Sequence, residues 1–361
     1  MMTEAFERRT LSCLRAQAER YPAMQAEDIV KYVFQAMLGV GHLLTSREAA
    51  AAYIAREMAG LDADPQESLT EPLGPAWCRL NLRRALAEGL APDDIAGLMT
   101  VPRTAVPFTR ADVRACCLRL ADSLPPGMQV PDEAALAAIL DETWLPNHSD
   151  AYRALYRPAY RVIAADWIPC LEAVLALAAL RKNQRRTLVT LDGPCATGKT
   201  TLAGRLAEVF GAAVVHTDDF VIPHAQKTPE RLAIPGGNCD ADRLAAEVTA
   251  PWKAGAPVRY RIYDFRSDRL KEAQTLPDTD VLILEGSYCN LPAIRRDADL
   301  RLFLDAPTDL RLGRLRQRES PASLVRFLAL WIPLEDAYFS AYGLPDGGMC
   351  VISAHYEDAD T

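Results

Sequence analysis

The sequence predicts an all-α domain followed by an α/β domain whose parallel sheet is flanked by helices, with the change at residues 183/184. Three observations predict it. Up to about residue 183, apolar residues recur at three- and four-residue spacing in segments rich in Ala, Leu, Arg and Glu, broken by Pro. From Thr187 onward, short β-type runs alternate with helical stretches, the order of strand–helix–strand units. Half of the 361 residues are hydrophobic and 24% are charged, which suits about two buried cores and excludes a disordered chain.

In the first part, Ala26–Leu38 carries Ile29, Val30, Val33, Phe34 and Met37 on one helical face. Segments 48–58, 77–88, 109–123 and 132–140 read as further helices, and 152–182 holds one or two more. In the second part, β-type runs at 187–191, 212–216, 280–284, 300–304 and 349–352 alternate with helices at 200–210, 240–253, 308–318 and 321–342.

Lys+Arg 40 against Asp+Glu 48 leaves a net charge of −8, the wrong sign for a general nucleic-acid or anionic-membrane binder. The first twenty residues lack the apolar block of an export signal, and Asp166 and Glu172 interrupt the most apolar stretch, so no membrane span is expected. Nine scattered cysteines without a C-x-x-C pair read as reduced thiols and a cytoplasmic location. The five histidines show no metal-ligand spacing.

The strongest motif is Gly193-Pro194-Cys195-Ala196-Thr197-Gly198-Lys199-Thr200, followed by Thr201, an instance of G-x-x-x-x-G-K-[ST] between a strand and a helix. Glycines let such a loop curl so that its amides point inward, and the helix N-terminus adds its positive end. Lys199 is expected at the β/γ-phosphates and the Thr200 hydroxyl at Mg²⁺. Carboxylates end the neighbouring β runs: Asp218 and Asp219 after 212–216, and Glu285 after 280–284. In a parallel sheet these ends share one crevice. One acid there can take a proton from an acceptor hydroxyl and another can sit beside the metal, which suggests Asp218 as base and Glu285 on the metal side. Arg311, Arg314 and Arg318 recur on one helical face, either a cationic lid over the γ-phosphate or a solvated, salt-bridged surface.

From about residue 186 to 354 the chain resembles the uridine kinase family, which includes nicotinamide riboside kinases, phosphoribulokinase and bacterial pantothenate kinase. The motifs occur in the family's order: the phosphate loop 193–201, then His216-Thr-Asp-Asp-Phe220, then Asp240 opening a helix. Tyr260-Arg-Ile-Tyr263-Asp264-Phe265, Leu284-Glu285-Gly286, the arginines 314 and 318, and Leu330-Trp-Ile-Pro333 follow. The resemblance implies a P-loop fold and transfer of the ATP γ-phosphate to an alcohol. It gives Asp218 the base role with Asp219 in reserve, puts Asp219, Asp240 and Tyr263 at the acceptor, and makes Arg314 and Arg318 lid residues. Asp268 stands about where the family has a histidine after Tyr-Asp-Phe, and Leu315 stands where some members have an arginine.

The expected activity is therefore an ATP- and Mg²⁺-dependent phosphotransfer to a primary hydroxyl of a small molecule, a nucleoside or ribosyl compound first. Pantothenate or a sugar phosphate is an alternative acceptor, and an NTP-driven switch acting on the helical part is an alternative function. Residues 1–183 receive no function. Their unusual clusters, Gly39-Val-Gly41-His42 and His148-Ser149-Asp150 with Tyr152, Tyr156 and Tyr160, read either as helix ends and packing or as a binding site.

Overall fold

The computed structural model describes residues 4–39, 46–100, 108–124, 128–140, 147–183 and 186–353. The Gly39–His42 cluster therefore lies, from residue 40 onward, outside the described residues. The chain separates into two compact units, the first ending at Ile168 and the second beginning at Pro169. Sequence placed the boundary at 183/184, where the β-type pattern starts. The helix Leu171–Asn183 instead belongs to the second unit, because its apolar side packs on the edge of that unit's sheet.

The first unit is helical in its bulk. Helix Ala26–Leu38 runs through its core, with Ile29, Val30, Val33, Phe34 and Met37 all buried as their spacing requires. A three-stranded antiparallel sheet joins the helices: β1 (Thr70–Pro72), β2 (Trp77–Asn81) and β3 (Tyr160–Ala164), in the order β1-β2-β3. Segment 77–88 was expected to be one helix, but its first five residues are β2, and the helix proper is Leu82–Glu88. The Asn81 side chain marks the switch, accepting from the Arg83 and Arg84 amides as an N-cap. Segment 152–182 likewise divides into the helix Asp150–Tyr156, β3 and Leu171–Asn183. Short apolar runs fit either period, and pairing partners more than seventy residues away decided these.

The second unit is built on β4 (Thr187–Asp192) and β5 (Ala213–His216). Two small antiparallel pairs follow, β6 (Arg259–Tyr260) with β9 (Gln274–Thr275) and β7 (Tyr263–Asp264) with β8 (Arg269–Leu270). β10 (Val281–Glu285), β11 (Leu300–Asp305) and β12 (Cys350–Ser353) complete the sheet, which is parallel throughout in the order β12-β11-β4-β10-β5. β4 and β10 are buried at every residue, as central strands covered on both faces must be. This order sets the carboxyl ends of β4, β10 and β5 side by side.

Candidate active site

β4 ends in Asp192, and residues 193–198 turn into the helix Lys199–Phe210. Two glycines make the turn. Gly193 sits at φ +138, where an added Cβ would lie 2.1 Å from the Leu304 carbonyl oxygen, and Gly198 sits at φ +106. Only glycine meets both demands cheaply. Lys199 is buried, and its Nζ donates to the carbonyls of Gly193 (2.7 Å) and Pro194 (2.9 Å).

Side chains from distant parts of the unit brace this loop. Asp192 accepts from the Gly193 amide (2.8 Å) and the Tyr338 hydroxyl (2.7 Å), and burial pushes its carboxyl above the usual range. Arg311 Nε donates to the Cys195 carbonyl (3.0 Å), while Arg314 Nη1 donates to those of Ala196 (3.1 Å) and Thr197 (2.8 Å). Glu335 accepts from the Cys195 amide (2.9 Å) with one carboxylate oxygen and from the Ser287 hydroxyl with the other.

At the adjoining strand ends, Thr200 Oγ1 donates to Glu285 Oε1 (3.0 Å), and His216 Nδ1 lies against the same oxygen. That contact with Glu285 holds the His216 imidazole above its ordinary value. Asp218 is open to the cleft yet crowded by protein. That crowding, then the Glu285 charge, raises its carboxyl, and Lys199 pulls the other way. Asp219 is raised as well, chiefly by burial.

These groups wall one cleft of about 440 Å³, which contains Lys199, Thr200, Asp218, Glu285 and Arg318. Phe265, Tyr288, Phe327 and Trp331 provide ring walls, and Asn238, Ser287, Arg326 and Glu335 add polar groups. Three residues expected at the acceptor do not line it. Asp240 caps the helix Ala241–Leu244, accepting from the Arg243 amide (3.2 Å). Tyr263 is buried, with its hydroxyl on Asp268 and its ring against Phe265. Asp219 presents its carbonyl to Arg243 (2.8 Å). On one helical face, Arg314 bonds the loop carbonyls without lining the cleft, and Arg318 lines it.

The sequence reading missed Asn238, Ser287, Tyr288, Arg326 and Glu335. Ser287 and Tyr288 directly follow the Glu-Gly that was noticed, and Tyr288 takes the left-handed backbone region (φ +78) without being glycine. Glu335 carried no signal, since the long helix 321–342 returns to the loop only through the tertiary fold.

Residues 237–321 match the model of the phosphoribulokinase / uridine kinase family. No curated protein matches the chain. Among solved structures, a possible uridine kinase from Bacillus stearothermophilus is 22% identical over 50% of this chain and 96% of its own, with a TM-score of 0.39. A sugar kinase from Janibacter sp. HTCC2649 is 22% identical over 48% of this chain and 87% of its own, at 0.26. A gluconokinase from Sinorhizobium meliloti 1021 is 14% identical over 48% and 86%, at 0.27. Likenesses at this level carry no argument about a substrate. With its phosphate loop and parallel sheet, the second unit has the architecture of a P-loop kinase domain, and over residues 237–321 it is similar to the phosphoribulokinase / uridine kinase family.

Proposed function

We propose that this unit transfers the γ-phosphoryl group of ATP to a primary hydroxyl of a nucleoside-like or ribosyl compound. One observation carries the reading: Lys199 of the phosphate loop and the Asp218 carboxylate wall the same cleft, with room between for an acceptor. Inward loop amides and Lys199 hold the β/γ end of the triphosphate. Asp218 accepts the proton of the attacking hydroxyl. Arg318 meets the charge that develops on the transferred group, and Arg314 and Arg311 keep the loop in shape. Thr200 and Glu285 offer the hard oxygen donors that Mg²⁺ prefers, and that ion, when bound, neutralises phosphate charge. Rate enhancement then rests on positioning and preorganised charge.

The ring walls support a flat acceptor group: Phe265, Tyr288, Phe327 and Trp331 give a base or nicotinamide faces to lie on. A sugar or sugar acid would leave them with little to do. Room beside Asp218 also favours a kinase over a switch that only hydrolyses its triphosphate. Among the described residues no helix is long and apolar enough to cross a membrane. All nine cysteines are unpaired, which supports a reducing compartment, the cytoplasm.

Asp218→Asn tests the reading. Acceptor phosphorylation, followed by mass detection over nucleosides, ribosyl compounds, pantothenate and sugar alcohols, is expected to fall about 10²–10⁴-fold with ATP binding retained. Unchanged turnover removes Asp218 from the mechanism.

A further inference from the structure

The first unit contains a second built cavity, of about 210 Å³, on which the kinase reading does not depend. Its walls are tyrosines held by ring contacts. Tyr152 stacks on His148 (4.1 Å between centroids, planes 4° apart), and Tyr156 meets both Tyr152 (4.8 Å) and Tyr21 (5.0 Å) edge-on. Beneath them Asp28 accepts from His148 (2.7 Å) and from the Ser149 hydroxyl (2.6 Å), fixing the start of the helix that carries Tyr152.

The charges in this cavity do not balance. Arg20, Arg79, Arg83 and Arg157 face Glu67 and Glu71, a formal surplus of two positive charges. Both carboxylates are engaged: Glu71 by Arg20 (2.8 Å), Tyr21 Oη (2.6 Å) and Gln17 (3.2 Å), and Glu67 by Asn81. Arg79 is 2% exposed, yet its guanidinium bonds only neutral glutamine oxygens, Gln17 (2.7 Å) and Gln35 (3.3 Å). Among the described residues its nearest carboxylate is 3.9 Å away and its Nε has no hydrogen-bond partner. The Tyr152 hydroxyl bonds to no described group although the residue is 2% exposed, and Arg83 and Arg157 make no ion pair among the described residues. Nearby, burial and then the Arg79 charge push the Lys31 amine down to about 7. A buried cation without a matched anion is costly, and a bound anion removes that cost.

We propose that this cavity binds a small organic phosphate, a monoester of a few carbons whose phosphate meets Arg79, Arg83 and Arg157 and whose body lies against Tyr152 and Tyr156. Guanidinium forks match phosphate oxygens in pairs, and a monoester at neutral pH carries nearly the two negative charges the arginines leave unmatched. The volume is below the ~300–1,000 Å³ of drug-sized pockets, so the ligand is small.

The test uses the full chain carrying Lys199→Ala, which removes the phosphate loop's lysine as a competing anion site. Calorimetry with ribose 5-phosphate and with glycerol 3-phosphate is expected to detect binding, with succinate, a dianion without phosphate, at least about tenfold weaker. Adding Arg83→Gln or Arg157→Gly is expected to weaken binding about tenfold each. Arg157 sits at φ +43, where glycine is at ease, so Arg157→Gly keeps the fold and reads the guanidinium alone. No binding to the Lys199→Ala chain, equal binding of succinate, or unchanged affinity in Arg157→Gly would each overturn the proposal.

Discussion

The phosphate loop of the second unit and the Arg79 cavity of the first both gather positive groups around a hollow, but from different materials. In the loop, the lysine, the glycines and the backbone groups come from residues 193–200, and Lys199 satisfies its ammonium on carbonyls five and six residues back. Around Arg79, the partners come from residues 17, 35, 71 and 160, on two helices and two strands. A backbone cradle is short and contiguous because amides are available at every residue. A side-chain cradle has to be assembled from whatever the fold brings near. The first kind therefore leaves a motif in sequence and the second leaves none.

The largest expected effect sharpens this contrast. Lys199→Ala is expected to lower kcat/KM for phosphotransfer about 10³-fold while leaving the melting of the first unit unchanged. A shift in that unit's melting would couple the two sites. Asp28→Ala is the counterpart in the first unit. It strips acceptors from His148, Ser149 and the Gln25 amide at once and is expected to cost about 3–5 kcal/mol, read by denaturant unfolding. The second unit's ATP affinity should survive it.

The pH responses separate the units further. Burial holds the His148 imidazole down to about 4. Asp28, which burial alone would raise, is brought to about 2 by hydrogen bonds from His148 and Ser149. Both values are depressed, so in this range the unfolded chain binds more protons than the folded one. The first unit should thus keep the contributions of these two groups in full above about pH 6.5, lose the His148 share as pH falls toward 4, and lose the Asp28 share on further acidification toward 2. In the second unit Asp218 is raised, so the acid limb of kcat/KM should lie above the ordinary carboxylate range. A limb at or below that range would contradict Asp218 as the base in its crowded setting. Smallest of all, Arg153→Ala removes an exposed pair with Asp150 and should change stability by no more than ~0.5 kcal/mol in the same denaturant assay. A larger loss would mean that the helix Asp150–Tyr156 depends on its surface charges as well as on Asp28.

What the sequence by itself determined is the second unit's alternating elements and the chemistry of its loop. Helix periodicity, the run of β-branched residues before the loop, the two glycines and the placement of Asp218 and Glu285 at strand ends are local properties, legible because each depends on residues a few positions apart. Tertiary structure alone decided the rest. It turned 77–81 and 160–164 into strands, used Asp240 as a helix cap and Tyr263 as a buried partner of Asp268, and brought Glu335 to the Cys195 amide from 140 residues away. It also buried Arg79 among neutral partners. The physical reason is one of range. Propensity, capping and turn chemistry act along the chain, whereas strand pairing, burial and side-chain convergence act across it, and one sequence does not display the contacts its own folding will create.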